Sequence, residues 1–220
     1  MKPTLFEFLS ALQQNNNREW FAENKEAYEH AKDQAYAFYE TVANELAKID
    51  DFSKFKMYRI YRDVRFSTDK SPYKNHFGAI FSRLQPHNRG SFYVHLEPGH
   101  TFIGGGFWDP NKDDLQRIRQ GIEIEDDLEM ILNDPKLKKE FGGLFGESLK
   151  TAPKGFDKEH PRIGMIRYKQ FLLKKDFNDK AVFQPDFKDQ VVDGYKTMQP
   201  FFRYMTDVLT TDANGESIIK

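Results

Sequence analysis

The 220-residue chain contains no cysteine. That single absence excludes a disulfide scaffold, cysteine-ligated zinc, an iron–sulfur cluster and a thiol nucleophile. No apolar run approaches the roughly 18 residues that a membrane span requires. The opening Met1-Lys2-Pro3-Thr4-Leu5-Phe6-Glu7 has none of the apolar core of a signal peptide. The expectation is a cytoplasmic protein with no membrane partner. An excess of one charge is missing too: 33 basic side chains stand against 34 acidic ones. Overall charge therefore does not announce a nucleic-acid binder. Walker, Gly-x-Gly-x-x-Gly, Gly-x-Ser-x-Gly and His-Glu-x-x-His sequences are all absent, which removes the motif-borne nucleotide, serine-hydrolase and zinc-protease readings.

What is present describes a globular protein, 39% hydrophobic and 30% charged. A chain of this length buries roughly 70% of its unfolded surface and needs no covalent staples. Internal repeats and linker-like composition shifts are lacking, so residues 1–210 are expected to form one α+β domain, with 211–220 a frayed polar tail.

Periodicity supplies the elements. Thr4-Leu5-Phe6-Glu7 reads as a capping box for a short helix. Trp20, Tyr28, Ala31, Ala35, Phe38, Val42, Leu46 and Ile49 form one stripe, predicting a helix from about Arg18 to Ile49. Alternation then predicts strands at Lys56 to Phe66, Phe77 to Arg83, Ser91 to Leu96 and Thr101 to Phe107, with Gln170 to Lys174 a fifth. The first four are joined mostly by short turns and make an antiparallel meander. Asp109-Pro110 and Asp134-Pro135 are helix starts. A last helix from about Asp186 carries a stripe through Leu209, with Pro200 expected to kink or split it. The fold class is an antiparallel sheet of four to five strands, one face covered by the N- and C-terminal helices.

The balanced charge hides segregation. Residues 54–76 hold seven Lys or Arg (Lys54, Lys56, Arg59, Arg62, Arg65, Lys70, Lys74) against Asp63 and Asp69. Residues 109–134 hold nine acids against three bases, and residues 150–180 hold nine bases against four acids. Two accounts of the first basic segment stand. Either it trades ion pairs with acidic neighbours, or it faces an anionic ligand. In a straight strand Arg59, Tyr61, Asp63 and Arg65 share a face, and Arg59 and Arg65 begin roughly 20 Å apart. One phosphate could not bridge them without a bulge. Residues Ser67 to His76 are then a loop that caps its own backbone, or a rim bringing Lys70, Tyr73 and Lys74 over the arginines.

Arg59-Ile60-Tyr61-Arg62-Asp63-Val64-Arg65-Phe66, followed by Asp69-Lys70 and Tyr73, resembles the signature of a bacterial family catalogued as domain of unknown function 2461. The likeness continues through Lys74-Asn75-His76-Phe77-Gly78, Tyr93-Val94-His95-Leu96, Gly104-Gly105-Gly106, Pro153-Lys154-Gly155-Phe156-Asp157 and His160-Pro161. It implies a full-length, single-domain member and lends no mechanism.

Strand alternation puts Ser91, Tyr93, His95 and Glu97 on one face, with Phe92, Val94 and Leu96 on the other. If that polar face joins Arg59, Asp63 and Arg65, His95 and Asp63 are the candidate acid–base groups. The bland alternative is a hydrogen-bonded histidine on a half-exposed sheet. His95-x-Glu97 with His100 invites a two-histidine, one-carboxylate iron site, but His100 falls in a turn, so no metal ligand is assigned and no cofactor is named. Gly104-Gly105-Gly106 is read as a place of close backbone or ligand approach, or a bulge. The expected function is binding of a phosphate- or carboxylate-bearing small molecule through Arg59, Arg62, Arg65, Lys70, Tyr73, Lys74 and His76, with Asp63 or His95 as catalytic groups if the protein is an enzyme. The alternatives are a nucleic-acid-binding module using residues 54–76 and 150–180, and a purely structural Arg/Asp ion-pair network. Sequence leaves the oligomeric state open.

Overall fold

The computed structural model describes residues 2–53, 55–212 and 214–219. Lys54, where the first basic segment begins, lies outside the described residues, as do Met1, Ala213 and Lys220. Five strands form one antiparallel sheet in chain order: β1 (Lys56–Met57), β2 (Phe77–Ser82), β3 (Ser91–Leu96), β4 (Thr101–Phe107) and β5 (Phe171–Phe177). β1 meets β2 with Lys56 opposite Ile80 and Met57 opposite Ala79. Among the described residues no helix is long and apolar enough to cross a membrane. The chain divides into two compact units: Met1–Phe81 with Tyr93–Ile103 and Asp176–Val192, and Ser82–Phe92 with Gly104–Lys175 and Asp193–Lys220.

In the first unit, α1 (Thr4–Gln14) buries Leu5, Phe6, Phe8, Leu9 and Leu12. Its cap is Pro3, not Thr4. Thr4 already sits inside the helix, Glu7 N–H donates to the Pro3 carbonyl, and the Thr4 hydroxyl accepts from Gln34 instead. The long helix expected from Arg18 is two: α2 (Arg18–Glu23) and α3 (Lys25–Leu46). Asn24 makes the break, its side-chain amide donating to the Trp20 carbonyl while its own backbone leaves the helical region. The stripe survives in α3, where Tyr28, Ala31, Ala35, Tyr39, Val42 and Leu46 are buried.

The predicted strand Lys56 to Phe66 stops after two residues. Beyond it Tyr61 makes an isolated bridge to Tyr73, Arg62 N–H donates to the Pro72 carbonyl and Lys74 N–H to that of Ile60. Asp63 and Asp69 take the backbone N–H groups of Arg65 and Ser71 with their own side chains. Residues so engaged, and a proline that cannot donate, do not extend a ladder. Phe77, Ala79 and Phe81 of β2 are buried, with Tyr39 edge-on to Phe81. The short helix α8 (Asp179–Val182) lends its Asp179 carboxylate to Gly99 N–H.

The second unit holds α4 (Lys112–Ile124), α5 (Asp127–Asn133), α6 (Pro135–Phe141) and α7 (Ile163–Ile166). α4 starts two residues later than Asp109-Pro110 suggests, because Asn111 Oδ1 accepts from both Asp113 and Asp114 N–H. Asp134 caps α6 as expected, and Gly142 ends it at a φ of 73°. The Gly104–Gly106 run does admit a close backbone: a Cβ on Gly106 would lie 2.1 Å from the Phe171 carbonyl oxygen. The last helix, α9 (Phe187–Thr210), contains Pro200 without splitting. Met198, Phe201, Phe202 and Met205 around it are fully buried, and that packing outweighs one missing hydrogen bond. Past α9 the chain turns back, Thr211 bridging Ser217.

Candidate functional site

The period of β3 is the root of the site. Tyr93, His95 and Glu97 follow one another on a single face and bond in a row. Tyr93 Oη lies 3.1 Å from His95 Nδ1, and His95 Nε2 lies 2.8 Å from Glu97 Oε2. With Glu97 ionised, Nε2 carries the proton and donates it, while Nδ1 accepts from the tyrosine hydroxyl. His95 is buried, and its ring is stacked on Phe102 at 4.6 Å and 17°. On its other flank the His76 ring lies with its centroid 4.1 Å away. Gly78 makes room for this row, since a Cβ there would fall 2.1 Å from Tyr93 Oη.

Glu97 is fixed at the mouth of the β3–β4 turn. The hydroxyl of fully buried Thr101 donates to the Glu97 carbonyl and accepts its N–H. His100 is exposed in that turn, so the histidine that joins His95 and Glu97 is His76, supplied by the residue just before β2. One donor atom each from His76, His95 and Glu97 lies within 4.8 Å of the others, a grouping unique among the described residues.

Electrostatics sharpen the picture. Burial, then the neighbouring His95, push the His76 imidazole down to about 4, with Lys74 and Arg62 adding to the effect. The ring is therefore neutral at pH 7. Burial pushes the Tyr93 phenol up, so it keeps its proton. Lys74 is held below the usual lysine range by burial, then by the charges of Arg59 and Arg62. Its ammonium sits 5.5 Å over the Tyr58 ring, which in turn lies 6.3 Å from Tyr93. A cationic rim thus abuts the histidine row.

The other residues named from sequence fall into different places. Arg59 is exposed and makes no ion pair among the described residues, although its charge is felt by both Asp63 and Lys74. Arg62 pairs with Asp69. Arg65 grips Asp63 with two nitrogens, at 2.9 and 2.6 Å, in an exposed pair. That grip holds the Asp63 carboxyl below its ordinary range and engages both its oxygens. Lys70 donates to the Val64 carbonyl. Tyr73 is buried, stacked on Phe21 at 3.9 Å. Asn16, between α1 and α2, holds this loop: it donates to the Tyr73 carbonyl and to Asn75 Oδ1, and accepts Tyr73 N–H. Sequence reading placed Tyr93 and Glu97 on the correct face, weighed Glu97 only as a ligand beside His100, gave Tyr93 no role, and gave none to Gly78 or Asn16. A separate groove of about 920 Å³ in the second unit is bordered by Glu123, Glu125, Asp127, Arg203 and the unpartnered hydroxyl of Tyr204; it holds no comparable set of ligating side chains.

Comparison with known proteins adds a family. A family model described as a conserved hypothetical protein (DUF2461) matches residues 4–204, nearly the whole chain. No curated protein and no solved structure matches it.

Proposed function

We propose that this chain, which belongs to the DUF2461 family, binds a small phosphate- or carboxylate-bearing molecule beside the histidine row, with Arg59, Arg62 and Lys74 meeting its negative charge. The observation that carries the reading is Lys74. It is half-buried, makes no ion pair among the described residues, and stands in the field of two arginines. A partly desolvated cation without a counter-charge is costly, and a bound anion offsets that cost while gaining charge-assisted hydrogen bonds. His95 takes the acid–base role within this reading. Its Nε2 proton is shared with Glu97 and its other nitrogen faces a protonated tyrosine, an arrangement that can pass a proton without a net buried charge. Asp63 is set aside as a base because Arg65 occupies its carboxylate.

Calorimetric titration of the wild type and of Lys74→Met with phosphate, citrate, a nucleoside monophosphate and a short oligonucleotide tests this. The expected result is saturable binding of a small anion that Lys74→Met weakens at least tenfold, with unchanged circular dichroism. Equal affinity in the two proteins, or binding of the oligonucleotide alone, would overturn it.

A further inference from the structure

Beyond anion binding, we propose that His76, His95 and Glu97 hold a divalent first-row transition-metal ion, with the remaining coordination positions open toward the cationic rim. Three donors lie within 4.8 Å of one another. Strand alternation accounts for His95 beside Glu97, but His76 comes from the segment before β2, and no local periodicity brings it to them. The donor set is two imidazoles and one carboxylate. That combination suits zinc, iron(II), manganese or cobalt; calcium and magnesium call for an all-oxygen shell and copper(I) for sulfur.

The spacing is close to what an ion demands. Metal–ligand bonds of about 2.0–2.2 Å place adjacent donors about 2.8–3.1 Å apart around an octahedral centre and about 3.3–3.6 Å apart around a tetrahedral one. His95 Nε2 and Glu97 Oε2 stand at 2.8 Å, a separation that suits adjacent octahedral positions with little movement and asks more parting for a tetrahedral site. His76 is half-buried, and one of its ring nitrogens lies within 4.8 Å of the donor atoms of both others.

The surroundings are those of a supported ligand set. A metal on Nε2 requires the other neutral tautomer, in which the single ring proton sits on Nδ1, where it must be donated. Tyr93 Oη already lies 3.1 Å from that nitrogen, and a hydroxyl accepts as readily as it donates. The tyrosine therefore satisfies His95 both with and without metal, and orients the ring as outer partners of metal-bound histidines do. Phe102 fixes the ring plane, and Thr101 fixes the Glu97 backbone. The inference rests on the anion reading only for what completes the coordination: an anion held by Lys74 and the arginines would bind the open positions of the ion. With the ion in place His95 is a ligand, and its acid–base role belongs to the metal-free protein.

The test is a titration of chelator-stripped full-length protein with Zn²⁺, and with Co²⁺ read through its visible d–d bands. Wild type is expected to bind one ion saturably. His76→Asn and Glu97→Gln should each weaken binding at least tenfold, Tyr93→Phe by about 10–100-fold, and His100→Ala not at all. His76→Asn alters a half-buried side chain, and its folding is checked by circular dichroism. Absence of saturable binding, or binding indifferent to both ligand substitutions, overturns the proposal. Phosphate titration of the metal-free protein reads the anion site separately. Metal without anion keeps this inference and sinks the anion reading; anion without metal does the reverse.

Discussion

Gly78 is the residue on which the histidine row depends sterically, and Gly78→Ala turns that dependence into a number. The backbone at Gly78 is ordinary extended strand, so alanine itself brings no strain and would by propensity gain about 0.5–1 kcal/mol. Its Cβ, however, would lie 2.1 Å from Tyr93 Oη and 2.9 Å from Tyr93 Cζ. Tyr93 has to move, and its 3.1 Å contact with His95 Nδ1 goes with it. Overpacking of this kind costs about 1–3 kcal/mol, and the lost hydrogen bond about 1 kcal/mol more. Against the propensity gain, Gly78→Ala should destabilise by about 2 kcal/mol. Tyr93→Phe alone loses the hydrogen bond, about 1 kcal/mol. Both single variants lose the same hydrogen bond, and the double variant also removes the atom that clashes at 2.1 Å, so its cost should fall short of the sum by about 1 kcal/mol or more. Urea unfolding of the four proteins, with unchanged m-values, measures the coupling. Additivity within about 0.5 kcal/mol would refute the claim that Gly78 exists to seat the tyrosine.

Arg65→Ala should leave the unfolding midpoint unchanged, because its pair with Asp63 is exposed and screened; a large drop in a thermal melt would show the motif to be a structural network after all. Gly106→Ala should cost about 3 kcal/mol or more in denaturant unfolding, since φ there is 131° and the new Cβ would meet the Phe171 carbonyl oxygen at 2.1 Å. Arg83→Met should cost about 1–3 kcal/mol, because buried Arg83 donates to the Arg89 carbonyl and the Thr206 hydroxyl; an effect within error in the same assay would mean those acceptors find other donors.

Legibility followed the range of the forces involved. The face shared by Tyr93, His95 and Glu97 was readable because strand alternation is local, and so was the stripe of α3. His76 was named as a ligand contact, yet its place against His95 was not readable: the meander pairing of β2 with β3 was expected, but their register is settled by non-local packing and not by either segment. His100 looked the better third partner only because it is nearer in sequence. The strand proposed over residues 56–66 keeps only Lys56–Met57, and its far end passes into a loop where Asp63 and Asp69 turn their carboxylates on their own backbone. The helix proposed over residues 18–49 failed at a single asparagine. In the helix a short polar side chain overrode an apolar pattern that was correct on either side of it; in the strand the pattern already lapsed at Tyr58, before the aspartates.

The clasp made by Asn16 has a thermodynamic consequence for the anion binding proposed above. Its bonds seize Tyr73 and Asn75, the two residues flanking Lys74. Ordering a backbone residue costs about 1–2 kcal/mol, and here that cost is met during folding, before any ligand arrives. Lys74 is consequently presented on a stiffened segment, and encounter with an anion requires no rearrangement of the loop. Association should be fast and single-phased, and shortening or lengthening the connection between the first two helices should slow it without touching a single charged residue.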